Sequence, residues 1–305
     1  MKKRNGLIFI VLLITLIVIA GGIYLIQNNY LLSGSEKIIK ENIVNDGDGL
    51  YLDTIATGLD EDSPFSSKYY FKGKNPNNFI VFENRCWQII NIAQNNSIKM
   101  VYYGKPSNND CSTTTDELSE INNNVWNDTN ENDWQTSTIK DQLESWVNSN
   151  NIADTISIDF TSADSKIEDA NWYIGGVRFI SQSLSTDIEQ EKNNIISTTV
   201  QSPVYSGKLG LITASDYLKI SCQMGAYDST EVCKNNNFLV RNNSFWTLTA
   251  TASGNLNAWA IKSNGLLISV ETQTPGYLIY PVIYLNGDIN ISGKGSINNP
   301  YIVID

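Results

Sequence analysis

Bulky apolar residues alternate with small or polar ones along several short segments, and this period of two predicts β-strands with one buried face. In the last sixty residues, such strands are predicted at 245–249, 258–261, 266–270 and 279–285. Residues 263–265, Ser-Asn-Gly, form the turn before the third strand, because Asn and Gly adopt positive φ at low cost. Pro281 has no N–H to donate, so we expect its strand to lie at an edge or a bulge.

The same alternation predicts four strands near the start of the folded region, at 69–73, 79–82, 86–92 and 97–103. The last two form a hairpin across Asn95 and Asn96. Four strands within about thirty-five residues indicate an antiparallel sheet. The Gly-rich end of the chain, residues 293–303, is predicted to be a closing strand that returns beside the first of these strands. A buried strand is also expected at 207–213.

Helical periodicity is clearest at residues 137–147, where Ile139, Leu143, Trp146 and Val147 share one face. Shorter helices are predicted at 36–42 and at 214–220, the latter capped by Ser215. Residues 167–178 are interpreted as a turn rich in aromatic residues and glycine, and 181–199 as a polar connector. These elements together predict an α+β fold of mainly antiparallel strands and a few short helices.

An uncharged run of twenty residues begins at Leu7 and ends at Ile26, directly after Lys2, Lys3 and Arg4. Its helical length of roughly 30 Å matches the hydrocarbon thickness of a bilayer, and the preceding cations predict a cytoplasmic N-terminus. The predicted divisions are a cytoplasmic segment, a transmembrane helix, a stalk or linker and an extracellular domain, at 1–5, 6–27, 28–67 and 68–305. A cleaved signal peptide, with its site near residues 20–22, remains the alternative.

The chain carries a net charge of -11 and contains no histidine. The acidic balance argues against binding to nucleic acid, which needs clustered Lys and Arg. The absence of histidine excludes Ser-His and Cys-His nucleophile systems and most zinc or iron sites. We therefore expect no cofactor and no metal, and we do not expect an enzyme.

Four cysteines follow the export segment, and none of them is in a C-x-x-C spacing. An even number of widely spaced cysteines in an exported chain predicts two disulfides. Proximity in sequence favours Cys86 with Cys111 and Cys222 with Cys233. Free buried thiols are the alternative interpretation.

Two acidic segments are candidates for calcium loops. The first is the Asp-Gly cluster at residues 45–49; it lacks the later ligand positions of an EF-hand, which favours a plain turn. The second contains Trp126-Asn127-Asp128, where Asn130, Glu131 and Asp133 offer further oxygens. A calcium site needs six or more converging oxygens, so a solvated loop is the simpler interpretation.

Several segments in order resemble a known group of proteins: YYFKG, CWQIINI, STIKDQLESWV, GKLGLITASDYLKIS, FWTLTA, NAWAIKSNGLL, YPVIYL and GKGSINNPYIV. The set resembles bacterial surface ectodomains anchored by one N-terminal membrane helix. Their C-terminal half is similar to the C-type-lectin-like fold of formylglycine-generating enzymes and retroelement-diversified variable proteins. Where such proteins tend to read W-R-I-I-R-I and V-R-P-V-I, this chain has Gln88, Asn91 and Tyr280. The resemblance implies a C-type-lectin-like ectodomain.

These observations predict a membrane-anchored extracellular module that binds a glycan or a protein without catalysis. Tyr277, Tyr280 and Asn257 lie near the predicted loop end of the last strands and are the candidate contact residues. Most tryptophans are instead expected to pack in the core, by their spacing: Trp87, Trp146, Trp246 and Trp259. The alternatives are an envelope scaffold, or a hydrolase that uses two carboxylates chosen from Asp128, Glu131, Asp216 and Glu231.

Overall fold

The computed structural model describes residues 32–55, 67–108, 110–115, 125–148, 165–180, 184–194, 204–221 and 235–304, together with Thr15. The predicted membrane anchor, apart from Thr15, and the predicted Cys222–Cys233 pair lie outside these residues. Among the residues described, no helix has the length and apolar character that crossing a bilayer requires.

The described part of the chain has a mixed α+β fold in which strands predominate. Four α-helices are present, and we number them in chain order: α1 Gly34–Asn42, α2 Thr138–Asn148, α3 Leu184–Asn193 and α4 Ala214–Ser221. The strands of the N-terminal half are β1 Gly49–Leu52, β2 Ser67–Lys72, β3 Phe79–Phe82, β4 Arg85–Ala93, β5 Ile98–Ser107 and β6 Asp110–Thr115. Those that follow are β7 Ala170–Tyr173, β8 Val204–Gly207, β9 Phe245–Ala250, β10 Asn257–Ile261, β11 Leu267–Glu271, β12 Val282–Leu285, β13 Asn290–Ser292 and β14 Tyr301–Ile304.

Strand β4 is the centre of a nine-stranded sheet. Its first half pairs with β3 and its second half with β2, while β5 pairs with it along the other edge. Strand β5 also pairs with β6 and β12, and β14 joins β3 to β13. All nine residues of β4 are buried, as expected of a strand with neighbours on both edges and covered faces. Two smaller sheets, β11-β10-β9 and β7-β8, complete the fold.

The predicted hairpins are confirmed. The β4–β5 hairpin turns at Asn96, which has a φ of 68°, and the turn between β10 and β11 contains Gly265 with a φ of 81°. Strand β12 begins directly after Pro281, whose carbonyl accepts the Tyr102 N–H at 2.9 Å. The four tryptophans predicted to pack in the core are all less than a tenth exposed.

Four of the predicted elements differ in the structure. The supposed connector at 181–199 contains helix α3, the turn at 167–178 contains strand β7, and β8 ends at Gly207 instead of beginning the strand predicted at 207–213. The closing strand β14 lies parallel to β3, not beside β2. Helix α3 escaped prediction because two of its buried positions carry carboxylates, Asp187 and Glu191, so its apolar periodicity is weak.

Helix α4 is capped differently from the prediction. Thr213, not Ser215, is the cap: its hydroxyl accepts the Asp216 N–H at 3.0 Å, and the Asp216 carboxylate accepts the Thr213 N–H at 2.9 Å. This reciprocal pair satisfies two N–H groups at the helix start. The Ser215 N–H instead donates to Glu191 of α3 at 3.0 Å, which ties the two helices together.

Residues 33–55, which belong to the predicted linker at 28–67, pack into the fold. Ser33 and Glu36 form a capping box at the start of α1, confirming the short helix predicted there. The Gly34 N–H donates to the Ile289 carbonyl at 2.7 Å, and Ile38 is fully buried. The folded unit therefore begins before residue 68, because apolar residues of this segment, such as Ile38, pack in the core.

The predicted Cys86–Cys111 disulfide is present and joins β4 to β6, with the two Cα atoms 5.9 Å apart. Strand β6 pairs only with β5 among the described strands, so this bond fixes an edge of the sheet to its centre.

Replacing both cysteines, as Cys86→Ala with Cys111→Ala, should lower the free energy of unfolding by about 3 kcal/mol, because the bond closes a loop of 25 residues in the unfolded chain. Urea unfolding measures the change, and wild-type protein with and without a reductant is the control. Identical unfolding midpoints for the variant and the oxidised wild type would contradict the prediction.

Candidate functional site

A cleft of about 650 Å³ opens beside the N-terminal end of β4, within the size range of small-ligand sites. Its walls come from strands β3, β4 and β5, from the turn after β2, and from residues 235–243. Segments that are distant in sequence thus build it together.

Aromatic rings line part of the cleft: Phe79, Tyr103, Phe238 and Tyr280. Phe79 and Tyr103 meet edge to face, with ring centroids 5.0 Å apart. Tyr280 is held against Phe245 of β9 at a centroid distance of 5.1 Å. These contacts fix the rings, so the apolar part of the cleft is formed before a ligand arrives.

Side-chain amides form much of the remaining lining. Five asparagines there are partly or fully exposed: Asn75, Asn77, Asn235, Asn242 and Asn243. Asn237 has a structural role, since it is buried, donates to the Tyr217 carbonyl at 2.9 Å and accepts the Leu239 N–H. An exposed amide side chain carries an N–H donor group and a carbonyl acceptor, the groups that pair with ligand hydroxyls.

Arg241 is the cation in the wall of the cleft. Its guanidinium lies 4.1 Å from the Tyr280 ring centroid and 5.5 Å from that of Tyr103. Within the described residues its guanidinium makes one hydrogen bond, to the Gln88 Oε1 atom, which is long at 3.4 Å. The Nε and Nη1 atoms are enclosed and have no hydrogen-bond partner in the described residues.

This arrangement leaves most of the hydrogen-bonding capacity of Arg241 unused. The aromatic faces offset part of the cost of burying the charge. An enclosed N–H without an acceptor still costs about 1–3 kcal/mol, so such a group calls for an explanation.

The charge of the cleft is opposite to that of the chain. Lys74 is exposed at its rim, and none of the lining residues that the structure describes is Asp or Glu. The whole chain carries -11. The described lining is therefore a small cationic region on an acidic protein.

The three predicted contact residues do not come together. Tyr280 lines the cleft, whereas Tyr277 stacks on Trp246 with ring centroids 4.7 Å apart. Asn257 begins β10 and donates to the Ser269 hydroxyl at 3.0 Å. It lies at the end of β10 that is far from Leu278, the residue that forms a bridge with β9. Neither Tyr277 nor Asn257 is among the lining residues.

Sequence reasoning missed Arg241, although a signal was present. It is one of only four arginines in the chain, and it stands between an apolar triplet and two asparagines. Of the three positions that the sequence analysis singles out by the expected resemblance, Gln88 and Tyr280 line the cleft. The third, Asn91, lines a smaller cavity behind the sheet.

That smaller cavity, about 60 Å³, contains a buried network of charged groups. The Lys99 Nζ atom lies 2.7 Å from the Asp216 carboxylate, and Lys219 pairs with Asp53. Burial lowers the pKa of Lys99, but Asp216 and Tyr284 outweigh it and hold that pKa above its usual value. Since a water occupies about 30 Å³ in the liquid, the cavity has room for roughly two waters and none for a sugar.

Glu191 of α3 borders the same cavity. Its carboxylate accepts the Ser215 N–H at 3.0 Å and the Thr249 hydroxyl at 2.8 Å. Burial raises the pKa of Glu191 to about 7, against the lowering effect of these hydrogen bonds, and nearby Asp216 raises it further.

The other acids considered for a hydrolase are not part of this network. Asp128 and Glu131 are exposed on a separate loop, and Glu231 lies outside the described residues. In that loop the Asn127 and Asp133 side chains accept the N–H groups of Thr129 and Gln135. Within the described parts of the chain, no group of three or more Cys, Asp or Glu side chains is placed to hold a metal ion.

Comparison with known proteins found no matching family, no similar curated protein and no similar solved structure.

Replacing Glu191 by Gln should flatten the dependence of stability on pH. The carboxyl has a pKa of about 7 when folded and about 4.5 when unfolded, so the folded state holds its proton between these values and the unfolded state does not. The free energy of unfolding of the wild type therefore falls as pH rises from 4.5 to 7, on the order of 3 kcal/mol from this group.

Urea unfolding of Glu191→Gln across pH 4.5 to 8 measures this contribution. Glu189→Gln is the matched control, since Glu189 lies exposed on the same helix. Equal losses of stability with pH in the wild type and Glu191→Gln would show that the Glu191 carboxyl does not titrate in this range.

Proposed function

We propose that the chain is a glycan-binding module on the outer face of a cell membrane, that the cleft beside β4 is its binding site, and that its fold is C-type-lectin-like. The observation that carries the proposal is the lining of this cleft, which combines fixed aromatic rings with exposed amides. Sugar rings present C–H faces that pack on aromatic rings and hydroxyl groups that pair with amides.

The shape of the site favours a glycan over a folded protein partner. A stable protein interface buries about 1,200 Å² or more and is typically broad. A concave site of about 650 Å³ suits a few sugar units. The experiment must therefore distinguish glycan binding from binding to an extended peptide.

The placement of the carboxylates supports binding without turnover. Glycoside hydrolysis uses two carboxyl groups on either side of the scissile bond. Here the described lining of the cleft contains none, and Glu191 and Asp216 border a cavity of about 60 Å³. We therefore propose that the module is not an enzyme.

The proposed location has two supports. The apolar run of residues 7–26 follows Lys2, Lys3 and Arg4, which favours a cytoplasmic N-terminus and an exported domain. The Cys86–Cys111 bond is of the kind that persists in oxidising compartments outside the cytosol.

A glycan array probed with the full chain in detergent tests the proposal. The wild type should bind, and Asn242→Trp should reduce binding at least tenfold, because the indole of this exposed residue enters the cleft. Asn255→Trp is the matched control, as Asn255 is equally exposed and lies outside the lining.

Unchanged binding by Asn242→Trp would place the site elsewhere. A loss of glycan binding in Asn255→Trp alone would indicate that the site lies near Asn257, at the start of β10. Binding to arrayed peptides and to no glycan would contradict the glycan-binding function itself.

A further inference from the structure

The cations in the wall of the cleft indicate which kind of glycan the cleft binds. Arg241 and Lys74 are the charged residues of its described lining, and neither forms an ion pair with a described carboxylate. Two buried lysines of the fold are paired with carboxylates by contrast: Lys99 with Asp216, and Lys219 with Asp53. The positive charge of the cleft is thus left without a protein counter-charge in the part of the chain described.

The donors of Arg241 point to the same conclusion. Its half-buried guanidinium is held by the Tyr280 and Tyr103 rings, with Nε and Nη1 enclosed and lacking acceptors. The rings fix the guanidinium in place, so its charge and the N–H groups of its exposed part are preorganised for an oxyanion in the cleft. The exposed part of Arg241 belongs to the cleft wall, where a ligand has access to it.

We propose that the glycan bound in this cleft is acidic, and that its oxyanion, a carboxylate or a sulfate ester, pairs with Arg241 while Lys74 adds attraction from the rim. The inference rests on the proposed glycan-binding function and specifies its substrate class. The acidic surface of the rest of the chain repels such a ligand elsewhere and so favours this one cleft.

Three hexasaccharides that share the same sugar backbone serve as probes. Calorimetry on the full chain in detergent measures their affinities. The first is a hexasaccharide of alternating N-acetylglucosamine and glucuronate. The second is the same hexasaccharide with its carboxylates reduced to hydroxymethyl groups, and the third carries sulfate on those groups. At least one of the two acidic probes, the carboxylate or the sulfate form, should bind at least tenfold more tightly than the reduced probe. The acidic probe that binds more tightly identifies the oxyanion.

Variants connect this preference to the named residues. Arg241→Gln should reduce the difference between the acidic and reduced probes to about the threefold that Lys74 contributes, with affinity for the reduced probe kept within about twofold. Arg241→Lys should restore part of the difference, because it keeps the charge without the planar fork. Lys74→Gln should weaken acidic binding by about threefold, and Lys262→Gln, at an exposed lysine outside the cleft, should change nothing.

The same series shows what would overturn the proposal. Equal affinity of the wild type for all three probes contradicts the acidic preference and leaves the glycan-binding function standing. A uniform loss of all three in Arg241→Gln, with a lowered thermal midpoint, assigns Arg241 a structural role only. No binding to any glycan refutes both proposals, and Arg241-dependent binding of hexaglutamate in its place reassigns the cleft to acidic peptides.

Discussion

The fold depends on the complete burial of strand β4. Its backbone is hydrogen-bonded to β2 and β3 along one edge and to β5 along the other, so nearly every peptide group of the strand has a partner. A strand buried on both faces needs cover on both faces. The same burial requires an explanation for the polar side chains that β4 carries. Gln88 borders the open cleft, and Asn91 borders the small cavity.

The two cavities differ in how their charges are satisfied. Behind the sheet, Lys99 and Asp216 neutralise each other, and removing either would leave an unpaired buried charge at a cost of about 3–5 kcal/mol. In the cleft, Arg241 has aromatic neighbours and one long hydrogen bond in place of a carboxylate. A structural ion pair explains the first arrangement, whereas no described protein group supplies an acceptor for the enclosed Nε and Nη1 atoms of Arg241 in the second.

The parts of the fold that the sequence predicted are those set by neighbouring residues. The hairpin of β4 and β5 and the turn at Gly265 follow from alternation and turn chemistry, and both are confirmed. Helix α3 was missed because Glu191 and Asp187 occupy buried positions that periodicity assigns to apolar residues. The Glu191 carboxylate is held by contacts with Ser215 and Thr249, which come from the tertiary fold and which local sequence does not reveal.

For a related reason, only a small part of the cleft could be predicted from the sequence. Its lining extends from Lys74 to Ile297, so it exists only after β14 has paired with β3 and the segment at 235–243 has packed beside them. Of the predicted contact residues, only Tyr280 lies in it. The parallel pairing of β14 with β3 joins segments more than two hundred residues apart, and no short-range pattern specifies such a pairing.

We propose that the guanidinium of Arg241 pairs with the oxyanion of an acidic glycan in the cleft. The chain has four arginines, so selective ¹⁵N labelling gives four Nε signals, and Arg241→Lys assigns the one of interest. We expect the acidic hexasaccharide to shift the Arg241 Nε–H signal, while its reduced form leaves the signal nearly unchanged. An Arg241 signal that stays the same when the acidic probe saturates the protein would contradict the proposal.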